Sequence, residues 1–324
     1  SRDDDYWEDW TLPDGTACQV PAWSVPEREE ERWVLRSDSG RVIAAMPDDS
    51  VYFEQTYWPF MDEDGPDPVE GAMDECMWTV LEHPPGPWVD DEELAEGARR
   101  LRERSDRAIT GIFGGNLLEM GQFLYRNDRF FTLLAGEPDR AEKCLDDLVD
   151  FYMPALENYL EQVGEYIDII QFGDDLGMQN GPLISPDMYR KFFKPRHEKM
   201  WRRAKGIADV KVMLHSCGDI RPFLPDLIDA GLDIVNPVQI ACPGMEASGL
   251  KEDFGDDMVF WGGGCDTQTV LARREPEQIK EHVKEQVEKL RPGGGFVFQQ
   301  VHNIVANVPT ENITAMYEAV HEVA

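Results

Sequence analysis

Apolar and polar positions fall into two textures along this chain. From about residue 92 onward, short apolar runs alternate with longer stretches whose apolar positions recur at helical spacing. The runs predict strands over 107–113, 166–172, 210–214, 234–238, 258–261 and 296–301. The stretches between them predict helices over 90–104, 139–163, 185–205, 222–230, 276–290 and 309–323. Ser185 supplies an N-cap oxygen and Pro186 a preset first helical position. Apolar strands alternating with helices imply a parallel sheet. The first strand has no glycine-rich dinucleotide fingerprint, so a TIM-type (β/α)8 barrel is the expected fold. Six strands are counted, so the barrel is expected to lack its first strand or strands in this chain.

Residues 1–90 read differently. They are rich in Trp, Pro and Asp and poor in helical periodicity. Short β-like stretches at 32–35, 41–46 and 51–55 are joined by Ser37-Asp38-Ser39-Gly40 and Pro47-Asp48-Asp49-Ser50, which have turn chemistry. The expected organisation is an N-terminal β-hairpin elaboration over 1–90 and a barrel over 91–324.

Composition narrows the function classes. The 324 residues carry 64 acidic and 31 basic side chains, a net charge of -33. Such an excess repels nucleic acid and anionic membrane surfaces. Of the basic residues 21 are Arg and 10 are Lys, and the whole pattern predicts adaptation to high salt, where exposed carboxylates are screened. Acidic runs such as Asp62-Glu63-Asp64 and Asp90-Asp91-Glu92-Glu93 read as solvated surface. No apolar run is long enough to span a membrane. The opening Ser1-Arg2-Asp3-Asp4-Asp5 is acidic where a secretory signal would be basic and then apolar. The six Cys show no short paired spacing, which favours a reducing cytoplasm over a disulfide framework.

The chemistry-bearing residues follow the strands, where barrel active sites lie. His215-Ser216-Cys217-Gly218 ends one apolar run, and Gly262-Gly263-Gly264-Cys265-Asp266 ends another. Side chains at i and i+2 of a strand point the same way, so His215 and Cys217 can share a target that Cys265 reaches from a neighbouring strand. Three such ligands leave a tetrahedral zinc one open position, as in catalytic sites. The triple glycine reads as room for close backbone packing, since three bare glycines are a weak phosphate-loop signal. Asp174-Asp175 has two equal readings: an acid, base or cation binder, or a helix N-cap cluster and partner of a metal-bound His. His302 either meets substrate and moves a proton or makes a structural hydrogen bond. Gln179, Asn236, Gln239 and Asn303 complete the set expected to line a substrate cavity. Gln299 and Gln300 alternate faces, so only one of them can enter the barrel mouth. His83, His197, His282 and His321 are placed on helix or loop surfaces without a role.

Residues from about 107 to 324 resemble the uroporphyrinogen decarboxylase superfamily, a TIM-barrel family. The resemblance rests on Phe172-Gly173-Asp174-Asp175-Leu176-Gly177, on Ser185-Pro186 with Tyr189, and on Gln300-Val301-His302-Asn303-Ile304 followed by Val308-Pro309-Thr310-Glu311-Asn312. The decarboxylases hold no metal. The His-x-Cys and later Cys resemble instead the family's corrinoid-dependent methyltransferase branch, in which the matching His and two Cys bind zinc. Trp10-Thr11-Leu12-Pro13-Asp14-Gly15 and Tyr52-Phe53-Glu54-Gln55-Thr56-Tyr57-Trp58-Pro59 also look like that branch. The decarboxylases' Arg-Gln-Ala-Gly-Arg substrate motif does not occur, and neither does the family's segment carrying the first barrel strand.

The resemblance implies an enzyme: a zinc-dependent methyltransferase moving a methyl group between a small methylated substrate or thiol and a corrinoid. No Asp-x-His-x-x-Gly corrinoid motif occurs here, so a partner protein is expected to carry the corrinoid. Trp7, Trp10, Trp23, Tyr52, Phe53, Tyr57 and Trp58 either cap a small methylated substrate or form a local apolar core. Two other classes are distinguished by metal content and by methyl-transfer assay: cofactor-free uroporphyrinogen decarboxylation, and a silent zinc-bearing scaffold for a corrinoid protein.

Overall fold

Six apolar runs of the chain become six parallel strands: β7 (Thr110–Gly114), β8 (Ile169–Gly173), β11 (Lys211–His215), β12 (Ile234–Asn236), β13 (Val259–Trp261) and β14 (Phe296–Val297). Their order in the sheet is their order in the chain. That single winding, with helices in the connections, is the arrangement of a (β/α)8 barrel. The computed structural model describes residues 7–61, 69–82 and 91–323. Among these, six barrel strands are present, as the apolar runs predict, and β9 (Gly177–Met178) and β10 (Gly181–Pro182) form a short antiparallel pair apart from the barrel sheet. Residues 1–5, Asp62-Glu63-Asp64, His83 and Asp90 lie outside the described residues.

The chain divides into two compact units, one of residues 1–94 and 119–151, the other of 95–118 and 152–324. In the first unit, β1 (Trp7–Thr11) and β2 (Ala17–Pro21) form a hairpin. A separate antiparallel sheet is made of β3 (Glu27–Glu29), β4 (Arg32–Arg36), β5 (Val42–Pro47) and β6 (Glu54–Gln55). Leu35, Ile43 and Ala44 from these strands pack with Tyr57 and Met77. Trp10 meets Trp33 edge-on at 5.2 Å and lies 6.4 Å from Phe53, so part of the aromatic set forms local packing. Tyr52 is exposed.

The helices are α1 (Val69–Met73), α2 (Met77–Glu82), α3 (Asp91–Arg104), α4 (Leu118–Tyr125), α5 (Asn127–Gly136) and α6 (Pro138–Val163), then α7 (Pro186–Met188), α8 (Lys194–Ile207), α9 (Leu224–Ala230), α10 (Ala247–Phe254), α11 (Pro276–Leu290) and α12 (Thr310–Val323). The helix expected over 185–205 is divided. Ser185 Oγ accepts the Met188 N–H at 3.2 Å as the cap predicts, but a π-helical turn over Tyr189–Phe193 separates α7 from α8. This wider turn accompanies the burial of Tyr189, Phe192 and Phe193. α11 begins at Pro276 behind a reciprocal cap between Glu275 and Gln278. α5 and α10 start behind Arg126 and Glu246, neither of which caps its helix through the side chain.

Strand parity positions the site. Ile169, Met213 and Ile234 form one buried layer, with Val259 and Trp261 packed against it. Two residues onward on the same face stand His215 and Asn236, which are register partners across β11 and β12. The opposite parity, including Val212, Leu214, Val235 and Phe260, is buried as well, as both faces of a helix-covered parallel sheet must be.

Candidate metal centre

His215 ends β11, and its ring is oriented from the neighbouring strand. Its Nδ1 lies 2.8 Å from Oδ1 of Asn236. Asn236 is in turn fixed, its Nδ2 donating to the Trp261 carbonyl and to Gln299 Oε1, each at 3.1 Å. An acceptor at Nδ1 places the proton there and leaves Nε2 with a free lone pair. Cys217 Sγ lies 3.6 Å from that Nε2. The backbone behind the thiol is clamped, since the Cys217 N–H donates to Asp175 Oδ1 at 2.7 Å and the Gly218 N–H to Gln239 Oε1 at 2.8 Å. Gln239 Nε2 donates to Gln179 Oε1 at 3.0 Å, and Gln179 Nε2 to the Ala241 carbonyl at 3.3 Å.

The third converging ligand comes from the segment after β14. Ligand atoms of His215, Cys217 and His302 all lie within 4.8 Å of one another. The two imidazole rings are 6.0 Å apart and inclined at 64°. His215 and Cys217 are half-buried and His302 is exposed, so the cluster is open on one side. The donor set suits zinc. A tetrahedral ion with bonds of about 2.3 Å to sulfur and about 2.0–2.1 Å to nitrogen separates those two atoms by about 3.6 Å, the separation Nε2 and Sγ already have.

Cys265, expected as the third ligand, does not join this cluster. Its side chain is fully buried among Leu271, Ile279, Val283 and Met316, in the packing of α11 and α12. Burial pushes its thiol up to about 12, which keeps it protonated. The reason lies in the glycines before it. Gly262 and Gly263 adopt φ of 113° and 78°, left-handed backbone that ends strand parity after Trp261. A Cβ on Gly264 would meet the Phe298 ring at 2.3 Å. The triple glycine thus serves close packing, as expected, and the same turn sends the Cys265 thiol to the helix layer. The Cys265 backbone still pairs with Gln300, its carbonyl accepting the Val301 N–H at 2.9 Å.

The remaining expected residues separate by environment. Asp175 is the clamp on Cys217. Asp174 is wholly buried. Its Oδ2 accepts the Leu118 N–H at 3.0 Å, at the first turn of α4, and lies 3.2 Å from His197 Nε2. Its own N–H donates to the His215 carbonyl at 2.9 Å. Of the Gln pair, Gln299 reaches the Asn236 network. Gln179 and Asn303 are exposed. His197 and His282 are not surface residues. His197 is 1% exposed, stacks on Trp201 at 4.8 Å and 8°, and lies 3.2 Å from the Tyr189 hydroxyl through Nδ1. The i, i+4 spacing of His197 and Trp201 on an otherwise apolar helix face was the signal for its burial. His282 is half-buried, and its Nε2 accepts the Asp266 N–H at 3.2 Å.

The model of the uroporphyrinogen decarboxylase (URO-D) family matches residues 89–323. The chain belongs to that family. It is 24% identical over 319 aligned positions to the uroporphyrinogen decarboxylase of Methylococcus capsulatus, covering 94% of this chain and 83% of the relative. Identity to the enzyme of the same name from Alkalilimnicola ehrlichii is 26% over 281 positions, covering 82% and 71%. Among solved structures, a methyltransferase from Methanosarcina mazei superposes with a TM-score of 0.59 at 21% identity, over 84% of this chain and 72% of that one. The barrel inferred from the strand order is the URO-D family fold. No helix among the described residues is long and apolar enough to cross a membrane.

Proposed function

We propose that this chain is a zinc-dependent methyltransferase that moves a methyl group between a small methylated substrate or thiol and a corrinoid held by a separate protein. The observation that carries the reading is the convergence of His215, Cys217 and His302, with Nε2 and Sγ at the spacing of a tetrahedral zinc. In this reading His302 takes the place first assigned to Cys265. Bound there, zinc would act as a Lewis acid on a methylated donor or lower the pKa of a thiol acceptor.

The chain's own residues supply the rest. Asn236 holds the His215 tautomer with Nε2 directed away from the backbone network. Asp175 and Gln239 fix the loop that presents Cys217. The exposed side of His302 leaves room for a partner-borne corrinoid to approach, and Gln179 and Asn303 stand exposed on neighbouring segments. Asp174, being buried and committed to Leu118 and His197, positions the loop instead of meeting substrate. The fold shared with the Methanosarcina mazei methyltransferase agrees with this reading.

A second reading, decarboxylation of uroporphyrinogen, rests on the names of the two curated relatives. Purified protein separates the two. Methyl-transfer chemistry predicts bound zinc and a cobalt spectrum that changes when Co(I)-cobalamin meets a methylated donor or methylcobalamin meets a thiol. Metal-free protein that leaves cobalamin unchanged and decarboxylates uroporphyrinogen would decide for the second.

A further inference from the structure

Ser216 stands between His215 and Cys217 and has no exposed surface. Along an extended chain successive side chains alternate, so the middle one turns away from the target its neighbours share. Its Oγ accepts the Leu176 N–H at 3.0 Å, and its own N–H donates to the Asn236 carbonyl at 2.7 Å. Leu176 is also wholly buried, so the hydroxyl partners a donor that lies away from water.

That bond is one of a series joining segments 174–178 and 215–219. The Asp174 N–H donates to the His215 carbonyl at 2.9 Å, the Cys217 N–H to Asp175 Oδ1 at 2.7 Å and the Asp219 N–H to the Met178 carbonyl at 2.9 Å. Where the segments meet, backbone touches backbone. A Cβ added to Gly177 would lie 2.8 Å from the Cys217 carbonyl oxygen and 2.7 Å from the Asp219 nitrogen. One added to Gly218 would lie 2.3 Å from the Gly177 carbonyl carbon. Gly177 does not have a positive φ, so the close approach, and not its backbone angle, excludes a side chain. Both ligand residues are thus held from behind, His215 at its carbonyl and Cys217 on both of its peptide groups.

We propose that Ser216 and Gly177 are positioning residues of the metal centre, fixing the 3.6 Å separation of His215 Nε2 and Cys217 Sγ through the backbone that carries them. The inference rests on the zinc reading of that cluster. A tetrahedral ion accepts a narrow range of ligand separations, and ligands already held in that range lose little freedom on binding it. Removing the Ser216 hydroxyl leaves the Leu176 N–H unpaired, and a methyl group at Gly177 pushes on the Cys217 carbonyl. Either change moves one ligand relative to the other.

The test compares wild-type protein with Ser216→Ala, Gly177→Ala and Val283→Ala, the last a core substitution in α11 away from the cluster. Zinc affinity is read by chelator competition, coordination by the absorption bands of bound Co(II), and fold stability by urea midpoints without metal. Ser216→Ala and Gly177→Ala should each weaken zinc about 10–100-fold, the usual effect of losing an outer partner of a metal ligand, and should shift the Co(II) bands. Val283→Ala should lower the midpoint and leave affinity and bands as in the wild type. If one of the two site variants does not fold, the other carries the test. Wild-type affinity and bands in a folded site variant, whatever its midpoint, would overturn the proposal and leave the zinc reading standing. So would equal weakening in Val283→Ala, which would make the effect one of general loosening. A wild-type protein that binds neither ion would overturn the zinc reading, and this inference with it.

Discussion

Nδ1 of His215 stands 2.8 Å from Oδ1 of Asn236, its register partner on the next strand. That contact decides which imidazole nitrogen is available to a metal. Asn236→Ala removes it and frees the ring to turn. Removing such an orienting partner typically costs about 10–100-fold in metal affinity. Zinc competition with a chromophoric chelator should therefore show weakening in that range, with the circular dichroism of the fold unchanged. Unaltered affinity would mean that the ring is held by other contacts.

The Cys265 thiol is held protonated by burial, up to about 12. An ordinary thiol titrates near 8.5, so the folded-state value is raised. The stability this contributes is fully present below the unfolded value and is lost as pH rises from there toward the folded one. Wild-type protein should lose stability across that alkaline window more steeply than Cys265→Val, as measured by urea midpoints. In native protein near neutral pH, Cys265 should resist alkylation while the half-buried Cys217 reacts. Rapid labelling of Cys265 would contradict its placement in the helix layer.

Asp174 accepts the Leu118 N–H and faces His197 with no exposed surface. Asp174→Ala leaves a buried donor unpaired, a loss of about 1–3 kcal/mol. Asp174→Asn keeps an acceptor oxygen and should cost less. Denaturant unfolding of both variants measures this, and equal midpoints for all three proteins would show that the carboxylate does not support the fold.

The net charge of -33 predicts stabilisation by salt. Raising KCl from 0.1 M to 1 M shortens the Debye length from about 10 Å to about 3 Å, screening repulsion among exposed carboxylates such as Asp91, Glu92 and Glu93. Tm should rise over that range. A flat curve would mean that local pairs, such as Arg99 with Glu96, already neutralise the surface.

The strands were legible because each is an apolar run bounded by turn residues, and α11 because Glu275, Pro276 and Gln278 spell out its start. α5 was hidden by its lack of a side-chain cap, and α4 because the carboxylate that accepts its first N–H comes from Asp174, far along the chain. The site was legible as far as strand parity holds. His215 and Asn236 obey it and share a face. Cys265 does not, because two left-handed glycines intervene and no local pattern reports which way the chain leaves them. His302 meets His215 and Cys217 because the segment after β14 returns toward β11, a tertiary contact that no local pattern reports. Asp174 and Asp175 are adjacent in sequence but divide between core and loop, a split set by tertiary contacts alone.

The most direct test of the account is zinc X-ray absorption on wild-type protein, Cys265→Ala and His302→Ala, with metal content measured on the same samples. The account predicts one sulfur ligand at about 2.3 Å and nitrogen ligands at about 2.0–2.1 Å. It predicts the same spectrum in Cys265→Ala and loss of zinc or of a nitrogen ligand in His302→Ala. Two sulfur ligands in the wild type, one of them lost in Cys265→Ala while His302→Ala is unchanged, would contradict it.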